Sequence, residues 1–308
     1  MQIIRNINEQ NILPCVATIG FFDGIHRGHQ FLLQQVKTLA SKEHLCSAVI
    51  TFPVHPRKVM QQDYQPHLLT SLEEKCTLLE KQEIDYTILL PFNQEMSKLS
   101  AREFMLILQE KLNVKMLVIG YDHRFGHNRE EGFDDYVHYG KEMNMQVIQA
   151  QAWTQDEAFV SSSMVRKLIG EGNVSKAALC LGTRYTLQGT VVDGYKVGRK
   201  IGFPTANICP LCPEKLLPAN GVYAVWVTLN NQRYKGMLNI GQRPTVDNGT
   251  DTSIEVHLLN FNEDIYHHTL TLEFVERLRE EQRFDSTSQL IEQLKQDAQS
   301  VDNLLSSC

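Results

Sequence analysis

Two histidines bracket a glycine in His26-Arg27-Gly28-His29, at a corner of the chain suited to phosphate chemistry. Before it, Val16 to Ile19 is a short apolar run that reads as a buried strand; after it, Gln30 to Leu39 reads as a helix. Backbone N–H groups and a helix dipole at such a corner favour anions. Two imidazoles added there suit a polyphosphate under attack at one phosphorus. The alternative is a tight turn bearing two solvent histidines, and three spaced residues do not separate these readings.

Other segments carry related chemistry. Ser161-Ser162-Ser163-Met164-Val165-Arg166 opens a helix expected over Met164–Ile169. Hydroxyls and N–H groups at a helix start, with an arginine in its first turns, suit a triphosphate tail, although serines there are often only caps. Gly120-Tyr121-Asp122-His123-Arg124-Phe125-Gly126 offers an acid, a base and aromatic rings between glycines, a wall for a phosphate and a planar ring. Pro53-Val54-His55-Pro56-Arg57 follows the second expected strand and reads equally as a stiff loop or as a further part of this site.

Gly194-Tyr195-Lys196-Val197-Gly198-Arg199-Lys200-Ile201-Gly202-Phe203-Pro204-Thr205-Ala206-Asn207 is the most specific stretch. Gly194, Gly198 and Gly202 permit close backbone approach to a ligand, and Arg199 and Lys200 supply positive charge. Thr205 and Asn207 place two hard oxygen donors on one side of an extended segment, a set suited to Mg2+ carried with ATP. A glycine-rich hairpin is the plainer reading. The chain has no G-x-x-x-x-G-K-[ST] phosphate loop. Cys209-Pro-Leu-Cys212 stands without the second pair of ligands that zinc needs.

The elements that must position these residues fall into two rhythms. The 308 residues are enough for two domains, and 42% hydrophobic content is enough for real cores. The net charge of −6 gives no general attraction to nucleic acid or an anionic membrane, so any phosphate site must be local. No apolar run has membrane-spanning length, and Met1 to Asn11 lacks a signal-peptide core. Seven scattered cysteines suggest reduced thiols and a cytoplasmic address.

Up to about residue 160, strands are expected at Val16–Ile19, Ser47–Phe52, Tyr86–Pro91, Met116–Ile119 and Gln146–Ala150. Helices are expected between them at His29–Lys42, Leu72–Gln82, Ala101–Leu112 and Phe133–Glu142. This alternation predicts a doubly wound parallel sheet, with ligands at the carboxyl ends of its strands. Beyond residue 183 come Tyr185–Val192, Gly221–Leu229, Tyr234–Ile240, Thr252–Leu259 and Thr269–Phe274, separated by turn residues. They predict a small antiparallel β-barrel, closed by a helix over Ser288–Leu305. The fold class is therefore α/β plus β, with domains at residues 1–182 and 183–308.

In order along the chain, these motifs resemble the bacterial bifunctional riboflavin kinase/FAD synthetase family. Its first half joins G-x-F-D-G-x-H-x-G-H, an H-P loop, G-x-D-x-x-F-G and S-S-T-x-x-R; here Ser163 replaces the threonine and His123 a common phenylalanine. Its second half carries G-x-x-x-G-R-x-x-G-F-P-T-A-N, preceded here by Asp193 rather than a frequent histidine. The likeness continues through Pro218–Ala224, Asn239–Thr245, Ile254–Leu259, Leu278-Arg279 and Phe284.

The resemblance implies phosphorylation of riboflavin to FMN, then adenylylation of FMN to FAD, each with ATP and Mg2+. It implies His26 and His29 as stabilisers of the ATP phosphates, with Gly24, Gly28, Ser162 and Arg166 in the same phosphate site. Asp122 and Phe125 would lie in the flavin cleft. In the second half it implies Gly198, Arg199 and Gly202 around ATP, Thr205 and Asn207 on Mg2+, and Arg279 near the flavin. Glu255 would be the general base. Strand alternation alone equally permits a solvated glutamate at 255, and an arginine beside Glu280 and Glu281 equally permits a surface pair. No nucleic acid, membrane or obligate protein partner is implied. A flavin sensor without turnover is the rival from another class; it should have lost His26, His29, Thr205 or Glu255, and all four are present.

Overall fold

Cys15–Ile19 is buried at all five positions, as expected of a strand covered on both faces. It is β2 of a six-stranded sheet with β1 (Gln2–Ile4), β3 (Cys46–Thr51), β4 (Tyr86–Leu89), β5 (Val114–Ile119) and β6 (Gln146–Gln149). The order is β1-β4-β3-β2-β5-β6, and every pair is parallel. In this computed structural model, residues 1–308 are described except 8–10, 62, 66, 122, 156–157, 195–197, 199–200, 245–249 and 307–308.

The intervening helices are α1 (Arg27–Lys42), α2 (Pro56–Met60), α3 (Leu72–Glu80), α4 (Ala101–Leu112) and α5 (Phe133–Glu142). Ser71 with Glu74, and Ser100 with Glu103, form capping boxes that start α3 and α4. Side chains of β2 alternate between two cores. Cys15, Ala17 and Ile19 pack with Phe104, Met105 and Leu108 of α4, while Val16 packs with Val36 and Ala40 of α1. The sheet is thus doubly wound. Chain order reverses between β2 and β5, and the crevice at such a reversal is where open α/β sheets hold ligands. Strand β1 and helix α2 are among the elements not expected from the sequence. A short hairpin, β7 (Thr154–Gln155) with β8 (Ala158–Phe159), follows the sheet.

The chain divides into two compact units, Met1–Ser162 and Ser163–Cys308. Helix α6 (Ser162–Gly170) starts at the division and α7 (Val174–Leu181) packs against a strand of the second unit, β14 (Thr269–Arg279). The other strands there are β9 (Thr186–Val192), β10 (Ala206–Pro210), β11 (Gly221–Leu229), β12 (Gln232–Pro244) and β13 (Thr250–Leu258). They close a barrel in the order β10-β13-β12-β11-β14-β9, and all the pairings are antiparallel. The sixth strand, β10, is the one the sequence does not announce.

Helix α8 (Thr287–Ser306) lies on the outside of the barrel. Its Val301 and Leu305 pack on Val222, Ala224 and Met237, so those positions face outward. The alternate ones, including Tyr223, Val225, Leu238, Ile240, Ile254 and Val256, are buried and fill the interior. Arg279, at the end of β14, fastens the helix. Its Nε donates to both carboxylate oxygens of Asp297 at 3.1 and 3.0 Å, and its Nη2 donates to Oδ2 at 2.7 Å. Asp297 is 4% exposed. Arg279→Met strands that buried carboxylate and should cost about 3 kcal/mol, roughly 10 °C in the unfolding midpoint of the second unit. A midpoint unchanged in differential scanning calorimetry would show that the ion pair contributes nothing to holding α8.

Candidate active sites

The chain leaves β2 through a turn that few sequences tolerate. Phe22, Gly24 and Ile25 all have left-handed φ values, of 53°, 81° and 42°. Buried Asp23 holds the turn in place. Its carboxylate accepts N–H bonds from Leu69 and Thr70, each at 3.0 Å, and the Thr70 hydroxyl at 3.1 Å. Buried Lys75, on α3, donates to the Phe21 carbonyl at 3.0 Å, the Phe52 carbonyl at 3.1 Å and Thr51 Oγ1 at 3.4 Å. Sequence reasoning missed Lys75.

The turn delivers His26 to the N-cap of α1, with Gly28 packed so closely that an added Cβ would lie 3.2 Å from the His26 ring and 3.3 Å from the Val160 carbonyl. The His29 N–H donates to His26 Nδ1 at 3.3 Å, so a neutral His26 carries its proton on Nε2. The two rings stack with centroids 3.7 Å apart. His29 Nδ1 is buried without a hydrogen-bond partner. Burial first, then the neighbouring charges of His26, Lys75 and His123, hold the His29 imidazole well below its ordinary pKa. A polyphosphate reverses that balance by favouring the charged ring. Ser162 Oγ donates to the Asp23 carbonyl at 3.0 Å, which ties the start of α6 to the same turn. Arg166 is half-buried one turn further along that helix.

The loop after β5 lies on the other side of the chain reversal. A cavity of about 340 Å³ is lined there by Ile119, Gly120, Tyr121, His123, Arg124, Phe133 and Gln149. Asp122 is outside the described residues. Phe125 does not reach the cleft as expected. It is 9% exposed, stacked on Tyr136 at 4.3 Å and edge-on to Phe104 at 5.5 Å. The Tyr136 hydroxyl also bonds the Phe125 backbone. Phe125 is therefore core that fixes the loop.

On the barrel, register brings the second set together. Asn207 of β10 pairs with Glu255 of β13, which pairs with Asn239 of β12, which pairs with Val222 of β11. Directly opposed residues share a face, and Val222 faces outward. Glu255 thus stands on the outer wall of the barrel. Thr205 Oγ1 donates to Glu255 Oε2 at 3.0 Å. The Asn207 amide fills the space that a side chain at Gly194 would take. Gly198 closes a turn in which its carbonyl accepts from Phe203 N at 2.9 Å, and Gly202 has a φ of 85° that favours glycine. Arg199 is outside the described residues.

A cavity of about 580 Å³ opens beside Thr205, walled by Val191, Val256, Leu258, Phe261 and Ile265 among others. Thr205 and Asn207 offer hard oxygen donors of the kind Mg2+ prefers, few enough to leave positions for phosphate and water. Among the described residues no cluster of three His, Cys, Asp or Glu side chains could hold a metal. Arg279 of β14 pairs with Val222 and so shares this outward face, and its guanidinium is engaged by Asp297 and the Glu280 carbonyl.

Residues 8–164 match the FAD synthetase family and residues 181–305 the riboflavin kinase family. A bifunctional riboflavin kinase/FMN adenylyltransferase of Escherichia coli K12 is 37% identical over 302 residues, 96% of each chain. One from Pseudomonas fluorescens is 37% identical over 94% of this chain and 93% of its own. A crystal structure described as a macrolide-efflux protein from Streptococcus pneumoniae superposes with a TM-score of 0.90 at 32% identity, covering 98% of this chain and 99% of that one. Among the described residues no helix is long and apolar enough to cross a membrane.

Proposed function

We propose residue roles from one premise: this chain belongs to the family of bifunctional riboflavin kinases/FMN adenylyltransferases. It phosphorylates riboflavin to FMN and transfers the adenylyl group of ATP to FMN, giving FAD and pyrophosphate. Its substrates are riboflavin, FMN and ATP, and reactions of this kind use a divalent metal. Adenylyl transfer is assigned to residues 1–182 and phosphorylation to 183–308, supported by family matches that end at 164 and begin again at 181. Six described cysteines are free thiols, which supports work in the cytoplasm.

In the kinase reaction, Glu255 accepts the proton of the ribityl 5′-hydroxyl as that oxygen attacks the γ-phosphorus of ATP and ADP leaves. Thr205 orients Glu255 through its hydroxyl bond. Thr205 Oγ1 and Asn207 Oδ1 would hold Mg2+, which neutralises phosphate charge when bound. Gly198, Arg199 and Gly202 would fold around the ATP phosphates. The cavity beside Thr205, with its apolar walls, would take the purine.

In the adenylyl transfer, an FMN phosphate oxygen attacks the α-phosphorus and pyrophosphate leaves. No proton has to be removed from the nucleophile, so the site works by alignment and charge stabilisation. His26, His29, Ser162 and Arg166 would hold the triphosphate at the turn made by Gly24 and Gly28. Asp122 and the cavity at Tyr121 and His123 would face the flavin nucleotide.

The observation that carries this reading is the Thr205–Glu255–Asn207 set on one barrel wall, paired with a histidine turn at the chain reversal of the parallel sheet. Purified protein given riboflavin, ATP and Mg2+ should yield FMN and then FAD on chromatography, with pyrophosphate released in step with FAD. Flavin that binds but stays unreacted would instead make the chain a flavin sensor.

A further inference from the structure

We infer that Lys75 is a positioning residue for FMN adenylylation, a buried ammonium that clamps the ends of β2 and β3 and so sets the histidine turn. The inference rests on the adenylylation site proposed above. Strand pairing between β2 and β3 ends with the Gly20 N–H on the Ile50 carbonyl, at 3.1 Å. Beyond that point the Thr51 hydroxyl donates to the Phe21 carbonyl at 3.1 Å, and the Phe21 and Phe52 carbonyls lie just past the strand ends. Lys75 Nζ gathers both, together with the Thr51 hydroxyl. It also sits 3.9 Å from the centre of the Phe21 ring.

The second half of the clamp comes from the same stretch of chain. Leu69 and Thr70, just before α3, hold Asp23. One element therefore grips Phe21 through Lys75 and Asp23 through its own backbone. Between and after these grips come the three left-handed residues and His26. A turn in that conformation persists only where its surroundings over-determine it. Lys75 acts on the histidines through the main chain that carries them, and its charge also bears on His29.

A buried lysine with three neutral acceptors is poised to lose its proton. Burial pulls Lys75 down to about 8, while Asp23 and Cys76 oppose the shift. The ionisable groups facing it are Asp23 from the turn, His29 from α1 and Cys76 on its own helix; β3 presents only the neutral Thr51. Above about pH 8 the amine keeps two donors for three acceptors and loses its attraction to Asp23. The folded-state value lies below the unfolded one of 10.5, so burying this group costs stability at low pH. That cost shrinks as pH rises from about 8 towards 10.5, and from this group the fold gains stability over the same range. Loss of adenylylation over that range through Lys75 is then a local effect, not unfolding.

The test uses the full chain, whose own riboflavin kinase reaction serves as the internal control. Lys75→Met should lower kcat for FMN adenylylation by about 10- to 100-fold, the range that a small misplacement of reacting groups produces, with KM for ATP nearly unchanged. Riboflavin phosphorylation should stay at the wild-type rate. Lys75→Arg keeps a charge at every accessible pH, so it should restore much of the rate and move the alkaline fall of activity up by more than about one pH unit. Wild-type adenylylation in Lys75→Met, or an alkaline limb unmoved in Lys75→Arg, would overturn the inference while leaving the site reading intact. No FAD from the wild-type protein would overturn the site reading itself.

Discussion

Glu255→Gln should stop riboflavin phosphorylation and leave conversion of supplied FMN to FAD untouched. The change is nearly isosteric. The glutamine carbonyl can still accept the Thr205 hydroxyl, which reaches Glu255 Oε2 at 3.0 Å, so the strand pairing with Asn207 and Asn239 has no reason to move. What disappears is the group able to take the 5′-hydroxyl proton. Removing a positioned base typically costs 10²- to 10⁴-fold, and about 10³-fold is expected in kcat here. Riboflavin binding measured by fluorescence should change little, since the amide keeps the same volume and one acceptor. A kinase rate within a few-fold of wild type would remove Glu255 from the role and return it to a solvated residue on the barrel wall. The two readings left open by strand alternation are separated by this one substitution.

The parallel sheet was legible because its central strands are largely apolar runs, as strands covered on both faces must be, and β2 through β6 start and stop within two residues of where the runs do. The barrel was legible by a different signal, alternation, and that signal fails at β10. Ala206–Pro210 holds Asn207, Cys209 and Pro210, and its burial does not alternate cleanly. It is a strand because β9 and β13 supply partners on both sides, which is tertiary information. Helix α2 was missed although its marks were present, with His55 accepting the Arg57 N–H and proline at the first helical position.

The candidate sites divide in the same way. Residue types and spacing pointed to the histidine turn and the Thr205–Asn207 pair, because phosphate and metal chemistry restrict both. They did not point to Lys75, Asp297 or the true surroundings of Phe125. A charged residue on a helix reads as its wet face, and only packing shows that Lys75 is 2% and Asp297 4% exposed. Arg279 and Asp297 meet across 18 positions of sequence, so neither betrays the other. Glycine-flanked Phe125 looked like a cleft wall because nothing in the sequence shows that Tyr136, eleven residues on, covers its ring.

His29→Ala should leave the chain a riboflavin kinase that accumulates FMN. Loss of one stabilising donor at a reacting phosphate costs about 10²- to 10³-fold, and adenylylation should fall by that much. The charge state of His29 makes a sharper test. In the free protein its charged form is disfavoured by burial and then by His26, Lys75 and His123. The unfolded chain takes up a proton near the ordinary imidazole value of 6.5, while the folded chain refuses it. From this residue, stability is intact above about pH 6.5 and declines as pH falls below it. An ATP triphosphate brought against the unpartnered Nδ1 supplies the opposing charge, so binding should draw a proton onto the ring. Calorimetry of ATP binding near pH 7 in buffers of different ionisation enthalpy should reveal that uptake. His29→Gln keeps a neutral donor but cannot take the proton. It should abolish the buffer dependence and retain more adenylylation than His29→Ala. Buffer-dependent heats that persist unchanged in His29→Gln would place the proton elsewhere, and a wild-type rate of FAD formation in His29→Ala would take this histidine out of the site.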